Sequence, residues 1–265
     1  MRTDFSEFSF GYALVEELAN GFRPTLTAVP VFPSLIEEGH EGGGYDVKFE
    51  LPGAPLLIQF KRPDVMLTAK AKEISIHGLG LGTPFYRFHI RSSAVSKQHD
   101  LLLGHDTGTN LVYYASPCFH EISTFNGHYV AQQIISNTIF IRPRDIGRLS
   151  AEPHHVAYDG TGHGWRFSDE PVRVLKLRIG REIEGDLRER LRGDDRPLGE
   201  GPIKEVVASI ERTLRRLRIS LTDSNPRLSR LSGSKRDLAR LAELAHVYLG
   251  AQTFIVQHVS DGEPS

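Results

Sequence analysis

Apolar positions along the chain change period several times, and each period predicts an element. In "SEFSFGYALVEELAN", Phe10, Leu14, Val15 and Leu18 recur at helical spacing, Ser6 or Ser9 stands where a cap belongs, and Gly21 ends the run. "TLTAVPVFPSL" reads as extended chain broken by Pro30 and Pro33, and "EEGHEGGG" as a loop. "YDVKFEL" and "PLLIQFK" read as two strands of a hairpin around Pro52-Gly53. "FYRFHIR" (85–91) predicts a strand, "SAVSKQHDLLLGH" a helix, and "NLVYYASP" a buried strand. "HYVAQQIISNTIFI" is expected to begin as helix and end as strand, while the Pro-, Gly- and His-rich 142–171 reads mainly as loop. Residues 62–84 show no clear period.

From 174 onward the period is helical in three segments. In 202–221, Val206, Val207, Ile210, Leu214 and Leu217 share one face, and Arg212, Arg215, Arg216 and Arg218 lie largely off it. The pattern implies α/β structure to about residue 150, a loop-rich connection over 151–173 and a mainly helical region over 174–260. Paired C-terminal helices also suit a homodimer.

Composition adds two constraints. The 265 residues are 39% hydrophobic and 25% charged, as in soluble globular chains. The single cysteine, Cys118, precludes an internal disulfide and a Cys-based zinc cluster, and fits a reducing cytoplasm. The N-terminus has neither the apolar core nor the cleavage site of a signal peptide. No run approaches the ~18 apolar residues of a membrane span, so no membrane partner is expected. The net charge of −1 conceals an asymmetry: residues 176–240 carry 17 Lys+Arg against 11 Asp+Glu. Arg212, Arg215 and Arg216 are therefore candidate phosphate contacts; a solvated helix face accounts for them equally.

The chemistry lies in the hairpin. With Pro52-Gly53 at the turn, Leu51 faces Ala54 and Asp46 faces Gln59, their Cβ atoms about 5 Å apart. Lys61, two residues on, shares that side, while Ile58 and Phe60 point the other way. A carboxylate, an amide oxygen and an ammonium would then converge, a set that suits a hard divalent cation and a lysine beside it.

A helix bearing Glu, a strand, an Asp in a hairpin and then Gln59-x-Lys61 resembles the PD-(D/E)xK nucleases, the restriction-endonuclease-like superfamily, in its Gln-x-Lys (Mrr-type) variant. The resemblance covers residues 7–61 and, loosely, 96–117. It implies an αβββαβ core and Mg²⁺- (or Mn²⁺-) dependent hydrolysis of nucleic acid, DNA before RNA, as in restriction, phage defence or repair. It implies Asp46, Gln59 and Glu17 (or Glu16) as metal ligands and Lys61 as the catalytic lysine. Gln98 or His99 of the following helix would reach a phosphate. Gln59 is neutral where other branches place a carboxylate, and the insertion after Lys61 is long. A catalytically inactive member acting as a nucleic-acid-binding or protein-interaction module is the alternative.

Other features read more plainly. His154, His155 and His163 fit no standard zinc spacing. "GLGLG" (78–82) lacks the Lys-Ser/Thr of a phosphate loop and reads as an insertion. Cys118 and Trp165 read as packing residues.

Overall fold

The computed structural model describes residues 1–21, 54–106, 111–167, 170–191, 200–219, 221 and 233–256. Helix α1 (Glu7–Gly21) begins where the sequence places it. The Ser6 hydroxyl accepts from Ser9 N–H at 2.9 Å, so Ser6 is the cap. Phe10, Leu14 and Leu18 form its buried stripe.

Strand β1 (Ala54–Phe60) follows, then β2 (Asp64–Met66), the short helix α2 (Lys72–Ser75) and β3 (Phe85–Ile90). Helix α3 (Gln98–His105) connects to β4 (Leu111–Pro117). After α4 (Ile122–Val130) and a 3₁₀ turn (Ile135–Asn137) come β5 (Thr138–Ile141) and α5 (Pro143–Ile146). Next are β6 (His154–Tyr158), β7 (Gly164–Phe167), β8 (Val172–Arg173), β9 (Leu177–Ile179) and α6 (Glu182–Leu191). Helices α7 (Glu200–Arg216) and α8 (Gly233–Leu244), a π-helical turn (Ala245–Leu249) and β10 (Gln252–Val256) complete the order.

Two sheets result, and the chain is a mixed α/β protein. The first has the order β10-β1-β4-β5-β9, and the second β2-β3-β6-β7-β8. Strands β1 and β4 are parallel, with Gln59 beside Tyr114, and α3 lies in the crossover that parallel neighbours require. The other pairs, including β1 with β10, are antiparallel.

β1 is apolar on both faces because both are covered. Leu56, Ile58 and Phe60 pack with α1 and with Phe119, Phe125 and Phe140. Leu57 faces the larger core, which joins the second sheet through Tyr86, Phe88 and Tyr158 to α3, α7 and α8. Burying side chains of this size contributes about 1.5–3 kcal/mol each. Gly11 lets α1 approach β1 closely: a Cβ there would lie 2.6 Å from the Phe60 ring.

Three expectations need correction. First, the antiparallel partner of β1 is β10, with Leu56 opposite Phe254 and Ile58 opposite Gln252. The edge that the hairpin reading gave to 45–51 is held by a strand nearly two hundred residues away in sequence. Residues 45–51 themselves, Asp46 included, lie outside the described residues. Second, the expected loop 142–171 contains the β6–β7 hairpin, closed at Asp159, whose Oδ1 accepts from the N–H groups of Thr161 and His163. His155 and Arg166, half-buried on opposite faces of the hairpin, interrupt its apolar positions and mask the strand period. Third, the C-terminal region is not a helical appendage. Residues 177–179 form β9 rather than helix, and β9 and β10 are the two edges of the first sheet. Helices α7 and α8 share one core with α3 through Ile203, Ile210, Leu214 and Leu241. Among the described residues no helix is long and apolar enough to cross a membrane.

Candidate functional site

The alternation of β1 places Gln59 on the face of Leu57, towards α3, and Lys61 emerges on that face just past the strand end. The Lys61 ammonium lies 5.7 Å from the Tyr114 ring centre, and Tyr114 is the β4 neighbour of Gln59. The strand end is fixed by Lys61 N–H donating to Ala115 O at 2.8 Å and by the Ser116 hydroxyl donating to Lys61 O at 2.9 Å.

Gln59 is 4% exposed, and its Oε1 has no hydrogen-bond partner among the described residues. An oxygen desolvated in this way is costly unless something donates to it or coordinates it. Burial pulls the Lys61 pKa below 10.5; nearby Glu7 opposes that shift and Arg91 adds to it. Desolvation thus makes Lys61 a readier proton donor than a surface lysine.

The wall opposite Gln59 comes from the C-terminus. The π-helical turn ends at Gly250 (φ +59°), and a Cβ there would lie 2.1 Å from Gln98 Nε2 and 3.1 Å from Gln59 Nε2. Only glycine gives both the left-handed backbone and the close approach. Gln59 and Gln98 therefore meet against one turn, with Lys61 two residues beyond Gln59 over the Tyr114 ring. The slot across from Gln59, which the hairpin register assigned to Asp46, is filled by this turn.

His99 is committed elsewhere. Its Nε2 lies 2.8 Å from Gly147 O and its Nδ1 2.9 Å from the Tyr114 hydroxyl. A carbonyl only accepts, so Nε2 carries the hydrogen and Tyr114 donates to Nδ1. Burial lowers the His99 pKa and favours this neutral ring. Of the two α3 candidates, Gln98 alone remains available to a ligand.

The α1 glutamates are also elsewhere. α1 packs on the opposite face of β1, with Gly11 at Phe60, so Glu17 lies about 9 Å further along the helix axis. Its Oε2 accepts from Ile134 N–H at 2.6 Å and Ile135 N–H at 3.3 Å, holding the turn before β5. Glu16 accepts from the Tyr129 hydroxyl at 2.5 Å. The α1 carboxylate beside Lys61 is Glu7, which accepts from Arg62 N–H at 3.2 Å. The sequence reading missed Glu7 because it sits in the first turn, ahead of the apolar stripe. It missed Gly250 because the helical period continues to Leu249.

Gln59 Oε1 is the observation on which a divalent ion can be tested, since a buried oxygen without a donor suits a hard cation. Among the described residues, no group of three or more His, Cys, Asp or Glu could hold a metal ion. An ion here would thus draw on Gln59, water and residues outside the described set.

The remaining features are structural. His154 bonds Ser150, His155 bonds Glu73 and His163 bonds Asp159, so the three histidines do not converge. His155 is neutral near pH 7, burial having lowered its pKa to about 4, so its contact with Glu73 is a hydrogen bond rather than an ion pair. Burial pushes the Cys118 thiol up to about 12, which removes its nucleophilic form. Leu79 and Leu81 of the glycine-rich stretch are buried against Phe85 and Phe167. Arg212, Arg215 and Arg216 are exposed on α7. Arg215 lies 3.9 Å from Glu211 and Arg212 donates to Ala208 O, contacts that a solvated face also makes.

No protein-family model, curated protein or solved structure matches the chain.

Proposed function

We propose that the chain is a metal-dependent phosphodiesterase acting on nucleic acid, DNA before RNA, with its site at the end of β1. The observation that carries this reading is the Gln59–Lys61 pair: a buried amide oxygen without a donor, two residues before a desolvated lysine, on one face of a strand. The β1–α3–β4 crossover agrees with the helix and strand that the nuclease resemblance expects after Gln-x-Lys. In this reading Mg²⁺ or Mn²⁺ would be held by Gln59 and Asp46 and would supply Lewis acidity to the phosphate. Lys61 orients the attacking water and offsets charge developing on the phosphoryl oxygens. Gln98 donates its amide N–H to a phosphate oxygen. Glu7 beside Lys61 keeps part of its positive charge, and exposed Arg212, Arg215 and Arg216 add a salt-dependent contact to the backbone.

The test is cleavage of supercoiled and linear DNA by the full chain. Cutting is expected with Mg²⁺ or Mn²⁺, and both EDTA and Lys61→Ala should lower its rate by at least about 100-fold. Cutting that survives both ends the proposal.

A second reading has its own support. Glu17 is turned away from β1 toward the backbone N–H groups of Ile134 and Ile135, and Gln59 is neutral, which suits a member of the same fold that binds nucleic acid without cutting it. Under that reading DNA binding weakens steeply with salt, is indifferent to Mg²⁺ and persists in Lys61→Ala.

A further inference from the structure

Glu16 and Glu17, drawn away from β1, line a cavity of about 210 Å³ together with Asn20, Tyr129 and Gln132. Glu17 is 7% exposed; its Oε2 accepts the two backbone N–H groups, but its Oε1 is buried without a partner among the described residues. A buried carboxylate with one oxygen unsatisfied is a standing demand for a donor or a positive charge. Glu16 supplies a second carboxylate at the same cavity, held by the Tyr129 hydroxyl.

The cavity lining is mainly polar, and exposed aromatic and apolar side chains lie beside it. Phe8 is 76% exposed and Val130 84%, and Tyr12 and Tyr129 are also open. Phe8, Tyr12 and Glu16 stand at i, i+4 and i+8 along α1, on one face of the helix. A buried and a more open carboxylate in one cavity, with tyrosine side chains beside them, match a guanidinium on an aliphatic stem. The planar head takes the carboxylate oxygens, while stem and head lie against tyrosine faces. A divalent ion fits this cavity less well, because only two acidic side chains reach it.

We propose that this cavity is a docking site for a protein partner, which inserts an arginine side chain between Glu16 and Glu17 while its neighbouring apolar residues cover Phe8, Tyr12 and Val130. The contact is independent of the site at β1. The test is an NMR titration of the full chain with N-acetyl-arginine-methylamide, using the alanine analogue as control. Saturable shifts are expected at the amides of Ile134, Ile135 and Tyr129, with none from the alanine analogue. Glu17→Gln keeps an acceptor for Ile134 N–H and removes the charge. It and the solvent-facing Glu16→Gln should each weaken binding at least about tenfold with an unchanged melting temperature. Three results overturn the proposal: no saturable shift, shifts that persist in both variants, or the same shifts produced more tightly by Ca²⁺ or Mg²⁺. Concentration-dependent broadening at these residues without ligand would assign the surface to a second copy and overturn it equally.

Discussion

Two polar sites sit at strand and helix ends near the same core, and they treat charge in opposite ways. Asp106, just past α3, is buried and fully answered. Its Oδ1 accepts from Arg142 Nε at 3.0 Å, its Oδ2 from Arg144 N–H at 2.9 Å, and its backbone carbonyl from the Arg144 guanidinium. Gln59, buried, and Lys61, half-buried, at the end of β1 are left open, with one amide oxygen unpaired among the described residues and an ammonium whose charge desolvation disfavours. The first arrangement joins α3 to α5 and holds the loop between β5 and β6. The second lowers stability and leaves groups ready for something from outside. Buried polarity that is satisfied reads as architecture, and buried polarity that is not reads as a site.

This contrast can be broken by substitution. The largest effect is expected at Asp106. Asp106→Ala strands the guanidinium of Arg142 and should cost about 4 kcal/mol in urea-induced unfolding. A loss under 1 kcal/mol would mean the cluster is not structural.

Acid should act next. His105 is buried with both ring nitrogens unpartnered and a pKa lowered to about 4, as is that of His155. Between about 4 and the ordinary 6.5, the unfolded chain binds protons at these rings and the folded chain does not. Stability therefore falls as pH drops through that window. Between pH 7 and pH 5 His105 alone accounts for about 2 kcal/mol. The check is urea unfolding at pH 7 and pH 5, with His105→Leu expected to flatten the dependence.

Gly250→Ala should cost about 1–2 kcal/mol in the same assay, from left-handed backbone and the contact with Gln98. Gln98→Ala in that background should return the part due to the contact. Full additivity would show that Gly250 and Gln98 do not meet.

The smallest stability change is expected at Gln59. Gln59→Leu removes an oxygen that makes no bond, so stability should shift by less than about 1 kcal/mol while DNA cutting falls. A large destabilisation would move Gln59 into the class of Asp106.

Much of the local structure was legible. α1 with its cap, β3, α3, β4 and the apolar face of α7 follow from period and capping chemistry, which act over a few residues. The pairing of Gln59 with Lys61 on one side follows from strand alternation alone. The partner of β1 was not legible, since Pro52-Gly53 suggests a local turn. Nothing in the period of 252–256 announces that it returns to pair with 54–58. The β6–β7 hairpin was hidden by half-buried polar residues on both faces, and β9 by its helix-like neighbours.

What the sequence determined by itself is the set of short-range commitments: which segments are helix or strand, which side chains share a face, and that the only cysteine forms no internal bridge. The tertiary structure decided which commitments meet. It carried Glu17 to the far face of the first sheet and brought Glu7 to Lys61 instead. It also filled the slot opposite Gln59 with Gly250. The physical reason is range: capping and alternation are settled within a turn or a strand, whereas sheet edges are claimed by whichever segment buries the most surface there. Here that segment was the one at the other end of the chain.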